Sequence, residues 1–235
     1  MYRDIAASIV KAIRDGIFVT KLPTEAQLMD RYNVSRNTIR KAIDLVYQQG
    51  LLRRVQGSGY FISKIELRHK TVVNLSARSI QGGENQPHNL ESKVVTFDTI
   101  KSDAALAKQF GIPVEEELYR VIRLRYWHHQ LYSLETSYYL KSVVRFISVE
   151  AVNSSIFSFL EEVYGIRVAN SDDYLSLTNL NEEEASLMQA DHGKTYLTLD
   201  SSNYYKNNGL FNFSHTVFAY PDLALYFHTT NLANN

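Results

Sequence analysis

Cysteine is absent from all 235 residues. That excludes disulfide staples, cysteine-ligated zinc and thiol catalysis, and is compatible with a reducing compartment. Long apolar runs are missing too. No stretch approaches the ~20 residues that a bilayer helix needs, and the opening Met1-Tyr2-Arg3-Asp4-Ile5 lacks the apolar core of a signal peptide. A cytoplasmic location with no membrane partner is the expectation. Low-complexity tracts and internal repeats are also lacking. Histidines are few and scattered, and none forms the i, i+4 pair with a glutamate that a zinc hydrolase helix carries. No metal site and no cofactor is expected. A P-loop and a Gly-x-Ser-x-Gly elbow are likewise missing. What the chain does have is 45% hydrophobic residues, with 16 Tyr and 11 Phe. Those numbers support a true core with β-rich packing or an aromatic-lined pocket, in one large or two modest domains.

The formal net charge is zero, but the zero is a cancellation. Residues 1–64 hold eleven Lys and Arg against five Asp and Glu, a net of +6, and residues 65–235 hold fourteen against twenty, a net of −6. A basic front joined to an acidic remainder is the asymmetry of a chain whose front binds nucleic acid.

The segment from Leu22 to Ile62 gives that front a shape. Thr24 precedes Gln27 by three, the spacing of a capping box, and opens a helix running to about Tyr32 with Leu28 and Met29 inward. Asn33-Val34 turns the chain. Ser35 is a suitable N-cap for a second helix over residues 36–49. Ile39, Ala42, Ile43 and Val46 recur at 3, 4 and 7, so they form its buried stripe. Arg36, Asn37, Arg40 and Lys41 then lie opposite, with Arg36 and Arg40 on one face. Gly50 stops the helix. Two β runs, Leu51–Val55 and Tyr60–Ile62, follow around the tip Gln56-Gly57-Ser58-Gly59. Residues 2–15 supply a first amphipathic helix, ended by Gly16.

Beyond a linker at 65–75 the chain alternates short helices and strands. Strands are expected at Lys93–Ile100, Glu117–Trp127, Leu131–Leu140, Val168–Leu177, Tyr196–Lys206 and Leu210–Ala219. Helices are expected from a Ser102 cap to Gly111, over Ser154–Tyr164, and from an Asn181 cap to Met188. The fold class is α+β, with a mainly antiparallel sheet and helices packed against it. Alternation places Arg123 and Arg125 on one face of their strand, and Ser133, Glu135, Ser137 and Tyr139 on one face of its hairpin partner. Neighbouring guanidinium forks suit a carboxylate or phosphate. An exposed ladder of ion pairs between two strands fits the same pattern equally well.

The segments Leu22-Pro23-Thr24-Glu25, Val34 to Ala42, and Gly50-Leu51-Leu52 through Gly59 resemble the winged helix-turn-helix of the GntR family of bacterial transcription regulators. The order Ser92–Ile112, Arg123-Leu124-Arg125, Leu134-Glu135-Thr136-Ser137-Tyr138 and Ile156–Ile166 is similar to the effector (UTRA) domain of its HutC subgroup, whose fold is like chorismate lyase. The resemblance implies residues 1–64 as a DNA-binding domain and 76–235 as an effector domain. It implies a DNA surface of Thr24, Ser35, Arg36, Asn37, Thr38, Arg40, Lys41, Arg53, Arg54, Gln56, Gly57 and Ser58. Ala26 stands where many relatives carry an arginine that touches DNA. It implies an effector site drawn from Ser76, Arg78, Ser79, Arg123, Arg125, Glu135, Ser155 and Phe157. The expected protein is a repressor of a metabolic operon. It binds double-stranded operator DNA as a homodimer and is relieved by a small anion such as a sugar phosphate or organic acid. A lyase-like enzyme is the alternative, and the basic N-terminal residues separate the two, since a free lyase would not need them.

Overall fold

The computed structural model describes residues 1–65, 71–75, 90–191 and 193–229. The chain divides into two compact units, Met1–His88 together with Asp222–Asn235, and Asn89–Pro221.

In the first unit α1 (Tyr2–Arg14), α2 (Glu25–Tyr32) and α3 (Arg36–Gln48) close on one core. Ile5, Ile9, Val10, Leu28, Ile39, Ala42, Ile43, Val46 and Leu52 are buried in it. The caps are those that the local chemistry demands. Gln27 N–H donates to the Thr24 hydroxyl at 3.3 Å and Thr24 N–H donates to Gln27 Oε1 at 2.9 Å, satisfying two amides left over at the start of α2. Asn33 turns in the left-handed region at φ 50°, and Ser35 accepts from Thr38 N–H at the start of α3. The wing is the antiparallel pair β1 (Leu52–Val55) and β2 (Gly59–Ile62), with Gly57 at φ 73° in its turn.

The linker reading gives way to a short strand, β3 (Thr71–Asn74), which pairs in parallel with β10 (Leu223–Tyr226). The end of the chain therefore belongs to the first unit. Asn74 Nδ2 donates to Gln49 O at 2.8 Å, Tyr226 donates to Gly50 O at 3.3 Å, and the His228 ring meets Tyr47 edge-on at 5.2 Å. This two-stranded clip grips the C-terminal end of α3. Gly50 is fixed by it twice over. Its φ is 72°, and an added Cβ would lie 2.7 Å from His228 Cβ and 2.9 Å from the Tyr226 ring. Gly50→Ala is therefore expected to lower stability by about 1–3 kcal/mol through left-handed strain and overlap. Urea unfolding of Gly50→Ala beside Gly16→Ala checks it, because Gly16 shares the positive φ but has open space where a Cβ would go. The difference between the two isolates the clip.

The second unit is a six-stranded, wholly antiparallel sheet in the order β4-β5-β6-β9-β8-β7. Its strands are β4 (Glu91–Lys101), β5 (Glu117–Trp127), β6 (Gln130–Leu140), β7 (Asn170–Asn179), β8 (Thr195–Tyr205) and β9 (Gly209–Phe218). The face of Leu118, Ile122, Leu134 and Phe213 packs α4 (Ala104–Phe110) and α7 (Glu182–Met188). The face of Val121, Tyr139 and Phe211 packs α5 (Val149–Asn153) and α6 (Ile156–Tyr164).

Three local readings change. Asp103, not Ser102, caps α4. Ser102 is buried, and its hydroxyl donates to Pro113 O while accepting from Glu116 N–H. The helix expected over 154–164 is α6, which Ser155 caps, and a separate short helix, α5, capped by Ser148, precedes it. The β5–β6 turn holds only His128 and His129, at φ 48° and 63°, and Gln130 already pairs with Trp127. Two positive φ values in a two-residue loop match the twist of the strands they join.

Candidate functional site

The exposed side of α3 carries Arg36, Asn37, Arg40 and Lys41, and the wing carries exposed Arg53, Arg54, Gln56, Gly57 and Ser58. Thr24, Ser35 and Thr38 stand at the starts of α2 and α3, but their hydroxyls are engaged in the caps; Ser35 Oγ and Thr38 Oγ1 lie 3.0 Å apart. Sequence reasoning gave Glu25 no functional role. Its carboxylate accepts Arg40 Nε at 3.0 and 3.1 Å and lies 3.7 Å from Arg36 Nε. Fifteen residues separate Glu25 from Arg40, so no helical spacing reveals the pair.

In the second unit the register brings Arg123 opposite Glu135 and Arg125 opposite Ser133. The exposed-ladder reading is overturned: Arg123, Arg125 and Glu135 keep only 5, 17 and 19% of their side-chain surface. Arg123 donates from Nη2 to both Glu135 oxygens at 3.0 and 3.1 Å and from Nη1 to Val152 O at 3.1 Å. Ser137 donates to Glu135 at 2.8 Å. Arg125 Nη1 reaches Glu135 only at 3.8 Å, and its buried Nε has no hydrogen-bond partner among the described residues. Thr216 on β9 stands opposite Glu135, and Ser214 opposite Ser137. The Phe157 ring lies 6.4 Å from the Tyr139 ring and 6.0 Å from Phe211, so the start of α6, with Ser155 as its cap, adjoins the same face. Ser76, Arg78 and Ser79 lie outside the described residues. The Val152 carbonyl has no sequence signature; Ser137 was legible from strand alternation.

The electrostatics follow from burial. Burial alone would push the Glu135 carboxyl up, but the Arg123 and Arg125 charges, with hydrogen bonds from Ser137 and Arg123, hold it down at about 2. Arg123 is lowered by burial yet ends raised by Glu135. Arg125 ends lowered, since burial and the neighbouring Arg123 charge outweigh Glu135. Burial pushes the Tyr139 phenol well up. One carboxylate thus faces two guanidinium groups, and it satisfies Arg123 first.

Sequence comparison decides the family. The "Bacterial regulatory proteins, gntR family" profile matches residues 1–62, and the "UTRA domain" profile matches residues 85–221. The chain belongs to the GntR family and carries a UTRA domain. The uncharacterized HTH-type transcriptional regulator YydK of Bacillus subtilis is 35% identical over 223 residues, covering 93% of each chain. The crystal structure of YydK matches with a TM-score of 0.77 at 30% identity, over 97% of this chain and 99% of that one. The mannosyl-D-glycerate transport/metabolism system repressor MngR of Escherichia coli is 25% identical, over 94% of this chain and 92% of its own. This GntR–UTRA protein is a transcriptional regulator of the HutC-like type, with an N-terminal helix-turn-helix and a mainly antiparallel C-terminal sheet. No helix among its described residues is long and apolar enough to cross a membrane.

Proposed function

We propose that this GntR–UTRA regulator is a cytoplasmic repressor of a carbohydrate-related operon that releases its operator when a small anion binds beside Arg125. The observation that carries the anion reading is the charge imbalance at Arg123, Arg125 and Glu135. Arg125 Nη1 stands 3.8 Å from Glu135 and its buried Nε has no hydrogen-bond partner among the described residues. A buried guanidinium so placed is costly unless something answers it, and a phosphate or carboxylate offers the oxygens that its fork needs. Glu135, Ser137, Ser214 and Thr216 supply acceptors and hydroxyls for a polyol attached to that anion. MngR and the fructoselysine operon repressors, by their names, regulate sugar-derivative systems, which supports this ligand class. The site is read as one that binds its ligand and releases it unchanged.

On the DNA side, α3 enters the major groove and the wing tip approaches the backbone, using the basic and polar residues named above. Two copies on a palindrome give adequate specificity, because one such helix reads few base pairs. Switching the population from nearly all bound to nearly all released needs about 5.5 kcal/mol of differential affinity. The clip offers a route. β9 carries Ser214 and Thr216, and a few residues after β9 ends at Phe218 the chain enters β10, which holds the C-terminal end of α3. The strand read as touching the ligand and the strand that holds α3 are thus consecutive in the chain.

The test is electrophoretic retardation of a duplex recovered from a randomised pool, with and without a panel of hexose 6-phosphates and sugar acids. Retention of the duplex by the protein alone and release by one panel member is the expected result. Turnover of a panel member, with no duplex retained, would replace the regulator by an enzyme. Arg40→Ala is expected to weaken duplex binding by about 1–3 kcal/mol if Arg40 contacts a base, measured by anisotropy at fixed salt; an unchanged affinity would remove Arg40 from the interface.

A further inference from the structure

A recognition helix gains nothing obvious from having its arginines neutralised, yet Glu25 sits against two of them. Its position at the start of α2 already suits an acid, because the helix N-terminus is positive, so it needs no arginine for its own sake. An exposed pair of this kind contributes little to stability; the Arg40 side chain keeps 60% of its surface and Glu25 28%. The geometry is more informative than the charge. Both Glu25 oxygens take the same Arg40 atom, Nε. Among the described residues no hydrogen bond engages the two Arg40 Nη groups, and those form the parallel fork that fits guanine O6 and N7. A long, flexible side chain is thereby held by its inner nitrogen while its reading end stays open. Ordering it before the encounter removes an entropic cost from binding. The same carboxylate also places a negative charge on a surface that sequence-independent binding needs to be positive.

We propose that Glu25 is the positioning residue that converts Arg40 from a general phosphate clamp into a reader of one base pair. It sets the operator selectivity of the protein more than its affinity. The proposal rests on the reading that α3 docks in a DNA groove.

The experiment uses the full chain. A randomised duplex pool is selected separately on the unaltered protein, on Glu25→Gln and on Glu25→Asp. Anisotropy then measures each protein on the unaltered protein's selected duplex and on a scrambled duplex of equal length, at several KCl concentrations. In Glu25→Gln the scrambled duplex should bind tighter by about threefold or more, with a steeper salt dependence, because one phosphate-repelling charge is gone. The ratio of selected to scrambled affinity should fall by about tenfold or more, the discrimination that one bidentate base contact supplies. The motif selected by Glu25→Gln should lose its preference at one base pair per half-site, and Glu25→Asp should retain part of it. In an Arg40→Ala background, Glu25→Gln should leave the affinity ratio unchanged. A merely structural role would weaken both duplexes in parallel and lower the melting temperature, with the motif intact; that outcome overturns the proposal, as does an unchanged ratio. Failure of the unaltered protein to enrich any sequence would instead remove the DNA-docking reading beneath it.

Discussion

Glu135→Ala is expected to lower the unfolding free energy of the Asn89–Pro221 unit by about 3–5 kcal/mol, the cost of leaving buried cations without their counter-ion. Among the described residues Arg123 would keep only the Val152 carbonyl, and Arg125 would lose the carboxylate that stands 3.8 Å from it. The pH dependence carries the same signature. The folded carboxyl is depressed to about 2, below the ~4.3 of an unfolded glutamate. Its stabilisation is therefore fully present above about pH 5 and is lost as pH falls through 4 toward 2, amounting to about 3 kcal/mol over that window. Urea unfolding at pH 6 and pH 3 should show a steep loss in the unaltered protein. The Glu135→Ala variant should start lower and lose less over the same interval. Equal slopes in the two proteins would show that Glu135 is not the depressed group.

Arg125→Ala should behave in the opposite way. Among the described residues the buried Nε of Arg125 and that of Arg123 both lack a partner. Arg123 keeps its Nη bonds to Glu135 and Val152 O, while the Arg125 charge is opposed by burial and by Arg123. Removal relieves a cost, so stability should stay level or rise. Anion binding should collapse. Two charge-assisted hydrogen bonds at about 1.5–3 kcal/mol each correspond to a loss of roughly a hundredfold or more in affinity. Arg123→Ala would lose ligand and stability together, because Arg123 also ties β5 to α5 through Val152 O. Isothermal titration with the hexose 6-phosphate or sugar acid that gives the largest thermal shift separates the two arginines. Equal destabilisation by both substitutions would contradict the division of labour.

The first unit was legible because its determinants are local. Thr24 with Gln27, Ser35 with Thr38, and Gly50 each act within one turn of backbone, and the stripe from Ile39 to Val46 needs only helical periodicity. The Arg123–Glu135 pair was legible only as a possibility. Alternation fixes which residues share a face, but the pairing depends on the register set at His128-His129, and a one-residue slip would send Glu135 to the other side of the sheet. Two features were not legible for physical reasons. β3 and β10 are four-residue strands paired in parallel from segments far apart in the sequence, too short to show a period. The Glu25–Arg40 bond joins two helices whose packing, not their sequence spacing, brings the residues together. The helix α5 was not legible either, because its five residues are too few to show a helical period.

The most direct measurement is the affinity of the full chain for its selected duplex, followed by anisotropy as the thermal-shift anion is added, with Arg125→Ala run beside the unaltered protein. The account predicts that the anion weakens duplex binding by at least about tenfold in the unaltered protein, well within the differential that a two-state switch requires, and leaves Arg125→Ala bound. An anion that releases both proteins at the same concentration would contradict it.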